Sequence, residues 1–126
     1  MIERLSVWRD ARSLVVDLYK LLANNKDYGF KDQLQRAAVS IMNNIAEGQG
    51  YGSNIQFAKY LHISLGSCYE VKSMLYLCSD LNYCTEETSK LLIRRVDKLS
   101  IGISRLIAHL TGESKDEKRP TPISEH

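Results

Sequence analysis

Residues 85–111, TEETSKLLIRRVDKLSIGISRLIAHLT, carry the clearest pattern in the chain. Leu92, Val96, Leu99, Ile103, Leu106 and Leu110 recur at alternating steps of four and three, the period of a helix that buries one face. The helix is expected to start near Thr85, and Glu86 and Glu87 place negative charge in the first turn, where the helix dipole favours it.

Upstream the same period returns three times. A first helix is expected over about 6–24, capped by Ser6, with Trp8, Ala11, Val15, Leu18 and Leu22 inward. A second is expected over about 29–47, burying Phe30, Leu34, Ala37, Ala38, Ile41 and Ile45, and ended by the Gly48, Gly50 and Gly52 cluster. A third, over 53–80 with Ser53 as cap, turns Phe57, Ala58, Leu61, Leu65, Cys68 and Leu75 to the core. The connectors at 25–28, 48–52 and 81–84 are short, so consecutive helices must reverse direction. The expected fold is all-α, an antiparallel up-down-up-down four-helix bundle over residues 1–112. No stretch alternates as a strand would, and the only prolines, Pro120 and Pro122, fall in residues 113–126, read as a disordered polar tail.

At 126 residues the chain fits one domain that buries roughly two-thirds of its unfolded surface. Both ends are polar, with no signal peptide or membrane span, so the expected location is the cytoplasm with no membrane partner. Cys68, Cys78 and Cys84 show neither C-x-x-C spacing nor an even count and are read as reduced. The net charge of +2 neither demands nor excludes nucleic acid.

Little points to catalysis. His62, His109 and His126 lie far apart without a zinc or di-iron pattern, and no serine or cysteine sits in a nucleophile elbow, so no metal, cofactor or enzyme activity is expected. The glycine-rich turn 48–53 looks like an anion cradle opening a helix, yet it lacks the Gly-Lys-Ser/Thr ending and the preceding strand and reads better as a turn. Gln33, Ser40, Asn44 and Glu47 fall on one flank of the second helix, where they suit either a polar site with Glu47 as base or ligand, or a structural hydrogen-bond network. The network is the preferred reading, because polar groups at a core edge must find partners.

Two surfaces stand out. On the third helix Ile63, Met74 and Leu77 project nearly opposite the core stripe, widened by Tyr60, Val71 and Cys78. One bundle cannot bury both faces, so Ile63, Met74 and Leu77 are the expected homo-oligomer interface, the alternative being apolar side chains scattered on the surface. On the fourth helix Arg94, Arg95, Lys98 and Arg105 flank the apolar ladder and His109 continues the stripe. A one-signed stripe suits phosphate; a solvated face paired with neighbouring acids suits it equally.

The run Gln33-Leu34-Gln35-Arg36-Ala37-Ala38-Val39-Ser40-Ile41-Met42-Asn43-Asn44-Ile45-Ala46-Glu47-Gly48 resembles the signature of the 23S ribosomal RNA intervening-sequence proteins, also called four helix bundle proteins. Val7-Trp8, Phe57, Leu61 and Gly66-Ser67 support the likeness, which spans about residues 5 to 110. That family is similar to the accessory proteins of diversity-generating retroelements, which form five-fold rings and bind nucleic acid and a reverse transcriptase. The resemblance therefore implies a homopentamer, with RNA or DNA and a reverse transcriptase as candidate partners. The family's name records a gene location inside ribosomal RNA insertions. Gln35 stands where a second arginine is common, Tyr51 where arginine is frequent, Met42 where proline is frequent and Gln56 where an acid is usual. Two positive charges and one ion-pair partner are thereby missing. The combined expectation is a non-enzymatic homo-oligomer that binds phosphates weakly through Arg36, Arg94, Arg95, Lys98 and Arg105 without reading base sequence. The alternative is a protein-interaction scaffold that never touches nucleic acid.

Overall fold

A computed structural model describes residues 2–112, so the expected tail at 113–126 lies outside the described residues. After a short 3₁₀ turn at Ile2–Arg4 come four helices, α1 (Ser6–Leu21), α2 (Tyr28–Gly50), α3 (Asn54–Asp80) and α4 (Glu86–Thr111). In cyclic order α1 touches α2 and α4, while α3 touches α2 and α4, which makes a four-helix bundle. Along α2 and α3 the pairings Ser40 with Ser67, Ile41 with Ser64 and Gly48 with Phe57 run in opposite senses, so this hairpin is antiparallel. Val7 meets Gly102 while Asp17 meets Arg95, so α1 and α4 are antiparallel as well.

The caps explain most helix ends. Asp27, Ser53 and Thr85 each accept a backbone N–H of their own first turn, from Phe30, Gln56 and Thr88. Ser6 does not cap α1: Leu5 holds that position without a side-chain bond, because the preceding 3₁₀ turn already feeds the chain into the helix through Leu5 N–H to Ile2 O. The glycine cluster does not end α2 at Glu47 either. Helix geometry continues to Gly50, and the reversal falls at Gly52, whose φ of +77° suits glycine. Gly48 stays helical and buried because α3 crosses there: a Cβ on it would lie 2.7 Å from Tyr60 Cβ.

The core joins Leu14, Leu18, Leu22, Leu34, Ile41, Ile45, Leu61, Val71, Leu75, Val96 and Ile103, all fully or almost fully buried. On α4 Ile93 and Ile107 are buried while Leu106 and Leu110 are only partly so, a small rotation of the expected stripe. The larger correction is on α3. Met74 is 8% exposed and belongs to the core, as do Val71 and Cys78, whereas Ile63 and Leu77 remain exposed at 47% and 43%. Its core positions 57, 61, 64, 68, 71, 75 and 78 step by four and three. A strict heptad drifts about 20° per repeat around a straight helix, so by residue 74 the buried arc has moved towards Met74.

Candidate functional site

The cationic side chains of α4 separate into two groups. Arg95 turns towards α1, where its guanidinium donates to Asp17 at 2.7 Å and to Ser13 at 3.2 Å. Arg94, Lys98 and Arg105 line an open groove between α4 and the start of α1, whose far wall is Ser6, Val7 and Asp10 and whose floor includes Leu99 and Gly102. Among the described residues these three cations make no ion pair. They span about 16 Å along the helix, from eleven residues at 1.5 Å each. Gly102 brings the two helices together at this point, since a Cβ there would lie 3.0 Å from Val7 Cγ1. Asp97 sits on the rim but is taken by Lys72 at 2.9 Å; that bond raises the Lys72 pKa and holds its ammonium charged.

Arg36 does not join this group. It lines a different groove, between α1 and α2, with Tyr19, Ser40, Asn43 and Asn44, and its Nε donates to Asp32 one turn back at 2.9 Å. Both partners of that pair are well exposed, so it is worth at most about 0.5 kcal/mol. Of the five cations singled out by sequence, Arg94, Lys98 and Arg105 share a groove, Arg95 is engaged with α1 and Arg36 stands on another face.

The polar flank of α2 divides in the same way. Asn44 Nδ2 donates to Ser40 O at 2.8 Å and to Ser40 Oγ at 3.0 Å, and the Ser40 hydroxyl bonds to the Ser67 hydroxyl at 2.8 Å. Ser40, Asn44 and Ser67 thus tie α2 to α3. Gln33 is exposed and outside this cluster. Glu47 is also exposed and lies beside Tyr60 in the α2–α3 turn. There the Tyr51 and Tyr60 rings stack at 5.3 Å and Tyr60 Oη donates to Tyr51 Oη, which pushes the Tyr60 phenol up to about 12. Sequence reasoning missed Ser64 and Ser89, fully buried hydroxyls that donate to Ile41 O at 2.8 Å and Leu75 O at 2.7 Å. Their signal was their place in the heptad register, where a serine among leucines needs a backbone acceptor. Among the described residues no buried side-chain polar atom lacks a partner.

His62 and His109 are exposed, His126 lies outside the described residues, and no group of three or more His, Cys, Asp or Glu could hold a metal among the described residues. No helix of the described residues is long and apolar enough to cross a membrane.

With this geometry in place, the sequence matches the family of 23S rRNA-intervening sequence proteins over residues 3–105. The chain belongs to that family. A similar solved structure is a protein of unknown function from the S23 ribosomal protein family of Bacteroides thetaiotaomicron, 26% identical, with a TM-score of 0.73 over 80% of this chain and 97% of that one. No functionally curated protein matches the sequence. The matched span contains the α2 run from Gln33 to Gly48 and the α4 groove as far as Arg105.

Proposed function

We propose that this intervening-sequence protein is a homo-oligomeric, non-catalytic module that binds nucleic-acid phosphates through the α1/α4 groove. What carries the reading is that Arg94, Lys98 and Arg105 face one groove with no carboxylate within ion-pair distance among the described residues. Cations left unpaired along about 16 Å of one helix suit a regularly charged polymer, whose phosphates position a protein without specifying sequence. Assembly supplies the strength that one nearly neutral chain lacks, since a long polyanion meets the same patch once per subunit. The exposed Ile63 and Leu77 on α3 favour a contact between copies. The five-fold ring implied by the family resemblance is the arrangement we adopt.

The test is fluorescence anisotropy with labelled single-stranded and duplex RNA and DNA on a sample of known oligomeric mass. Affinity should fall steeply with salt and vary little with sequence. Arg94→Glu with Lys98→Glu should lower the log-log salt slope by roughly two, about one for each phosphate contact removed. Absence of binding at about 50 mM salt, within the range where such contacts are strong, would transfer the case to the interaction scaffold. That second reading is favoured by Asp10 on the groove wall and by the carboxylates already holding Arg36 and Arg95.

A further inference from the structure

Helix α3 ends in a tight reversal. Leu81 closes it, Asn82 follows with a φ of 62°, and two backbone bonds turn the chain back: Asn82 N–H to Ser79 O and Tyr83 N–H to Cys78 O, both at 2.9 Å. This is the Schellman arrangement, with asparagine in the left-handed position that glycine more often fills. The Tyr83 N–H to Cys78 O bond returns Cys84 to the level of Cys78, where the two thiols are neighbours. Cys78 is buried, while Cys84 packs against the core with part of its surface open to solvent. The segment between them is held on both sides. The Tyr83 ring meets Phe30 edge-on at 5.1 Å, its hydroxyl donates to Asp27, and Thr85 caps α4 immediately after Cys84.

We propose that Cys78 and Cys84 are a reversible dithiol–disulfide pair, oxidised by small-molecule disulfides to a staple between the α3 C-cap and the entry to α4. A disulfide requires Cβ atoms about 3.8 Å apart, and the return of the chain through Tyr83 N–H to Cys78 O brings the residue after Tyr83 back beside Cys78. Cys68 is excluded as a partner: it lies ten residues back on the same helix, about 15 Å along its axis. The reaction starts at the accessible thiol. The Cys84 thiolate attacks one sulfur of the disulfide RSSR, the S–S bond breaks, and RS⁻ leaves and takes a proton. Cys78 then gives its proton to solvent and attacks the Cys84 sulfur of the mixed disulfide, expelling the second RS⁻. Two protein thiols and RSSR become one protein disulfide and two RSH. Burial, and the neighbouring Cys84 after it, push the Cys78 thiol up to about 12, so capture is the slow step and accelerates with pH.

The experiment treats the folded full-length chain with oxidised glutathione and follows it by intact-mass and peptide mass spectrometry. Cleavage after Lys59, Lys72 and Lys90 places Cys68 in one peptide and Cys78 with Cys84 in another. The expected course is a transient glutathione adduct on Cys84, then a peptide 73–90 lighter by two hydrogens and closed to alkylation, with Cys68 still free after unfolding. Capture should quicken about tenfold per pH unit in the neutral range. The oxidised protein should melt at a higher temperature and return to the starting value after reduction. Cys68→Ser should leave this course intact and Cys84→Ser should abolish it. An adduct on Cys84 that persists in alkali, a Cys84 that never reacts, or cross-linking only through Cys68 or between chains would overturn the proposal. The wild-type result decides alone, so a Cys78 variant that fails to fold does not obscure it.

Discussion

Replacing Gly48 by alanine tests how closely α2 and α3 approach. In an unhindered helix the change would stabilise by about 0.8–1 kcal/mol, because alanine loses less backbone freedom than glycine. Here the added methyl would meet Tyr60 Cβ at 2.7 Å, Phe57 Cδ1 at 3.1 Å and the Phe57 carbonyl at 3.2 Å. Two of those atoms cannot swing away: a Cβ and a backbone oxygen move only if α3 itself moves. Overpacking of this kind costs about 1–3 kcal/mol, and a rigid obstacle places the cost in the upper half of that range. Net of propensity, Gly48→Ala should destabilise by about 1–2 kcal/mol, roughly 4–9 °C in Tm for a chain of this size. Urea and thermal unfolding followed by far-UV circular dichroism, at one protein concentration, would measure it. Gly66→Ala is the comparison, since nothing lies within 4 Å of its added methyl. It should raise stability by up to about 1 kcal/mol. If Gly48→Ala melts at or above the wild-type temperature, the close crossing at the α2–α3 turn is wrong.

Ile63→Asp or Leu77→Asp should reduce the particle to a 14.4 kDa monomer in light scattering, because each puts a charge where an apolar side chain would be buried between copies. A folded variant of unchanged oligomeric mass would move the interface to another face. Asn44→Ala should lower stability by about 1 kcal/mol, read from urea unfolding, since it removes both bonds to Ser40 and leaves the Ser40 hydroxyl with Ser67 as its remaining partner. The Asp27 carboxyl is held below the usual carboxylate range by the Tyr83 hydroxyl and the Phe30 N–H. A depressed folded pKa contributes stability above the unfolded value, near 4, and loses it as pH falls through the folded value. Wild type should therefore melt above Tyr83→Phe at about pH 6, and the gap should close below about pH 4; a gap independent of pH would show that the carboxylate is not its source.

Helix number and the Ser53 cap were legible because each is a local matter. Ser53 sits three residues before the N–H it accepts, and α4 shows its heptad in plain order. Asp27 and Thr85 cap in the same way but were not singled out as caps. The α3 face was misread because its register is a property of two helices together. A stripe projected on a straight helix from Phe57, Leu61 and Leu65 puts Met74 on the far side. Once α3 follows α2 and α4, the buried arc creeps round with the heptad and takes in Met74 and Cys78 while leaving Ile63 and Leu77 outside. Gly48 was misread for a related reason. As local punctuation a glycine ends a helix, but against a crossing helix it is the residue that permits contact, and only the position of Tyr60 tells the two apart.

Charge pairing follows the same division between near and far in sequence. Arg36 with Asp32 and Lys90 with Glu86 are one turn apart and could be counted from spacing. Arg95 finds Asp17 across the whole chain, and Lys72 finds Asp97 from the neighbouring helix. Such pairs decide which cations of α4 remain to meet a ligand. Arg94 and Arg95 are adjacent in sequence, yet one helical step of 100° sends the first into the groove beside α1 and the second onto Asp17. A basic stripe read from sequence is therefore an upper bound. Here Arg95 is taken by Asp17, Arg36 stands on another face, and Arg94, Lys98 and Arg105 share the groove, so the salt dependence of any nucleic-acid binding should report about three phosphate contacts per chain and not five.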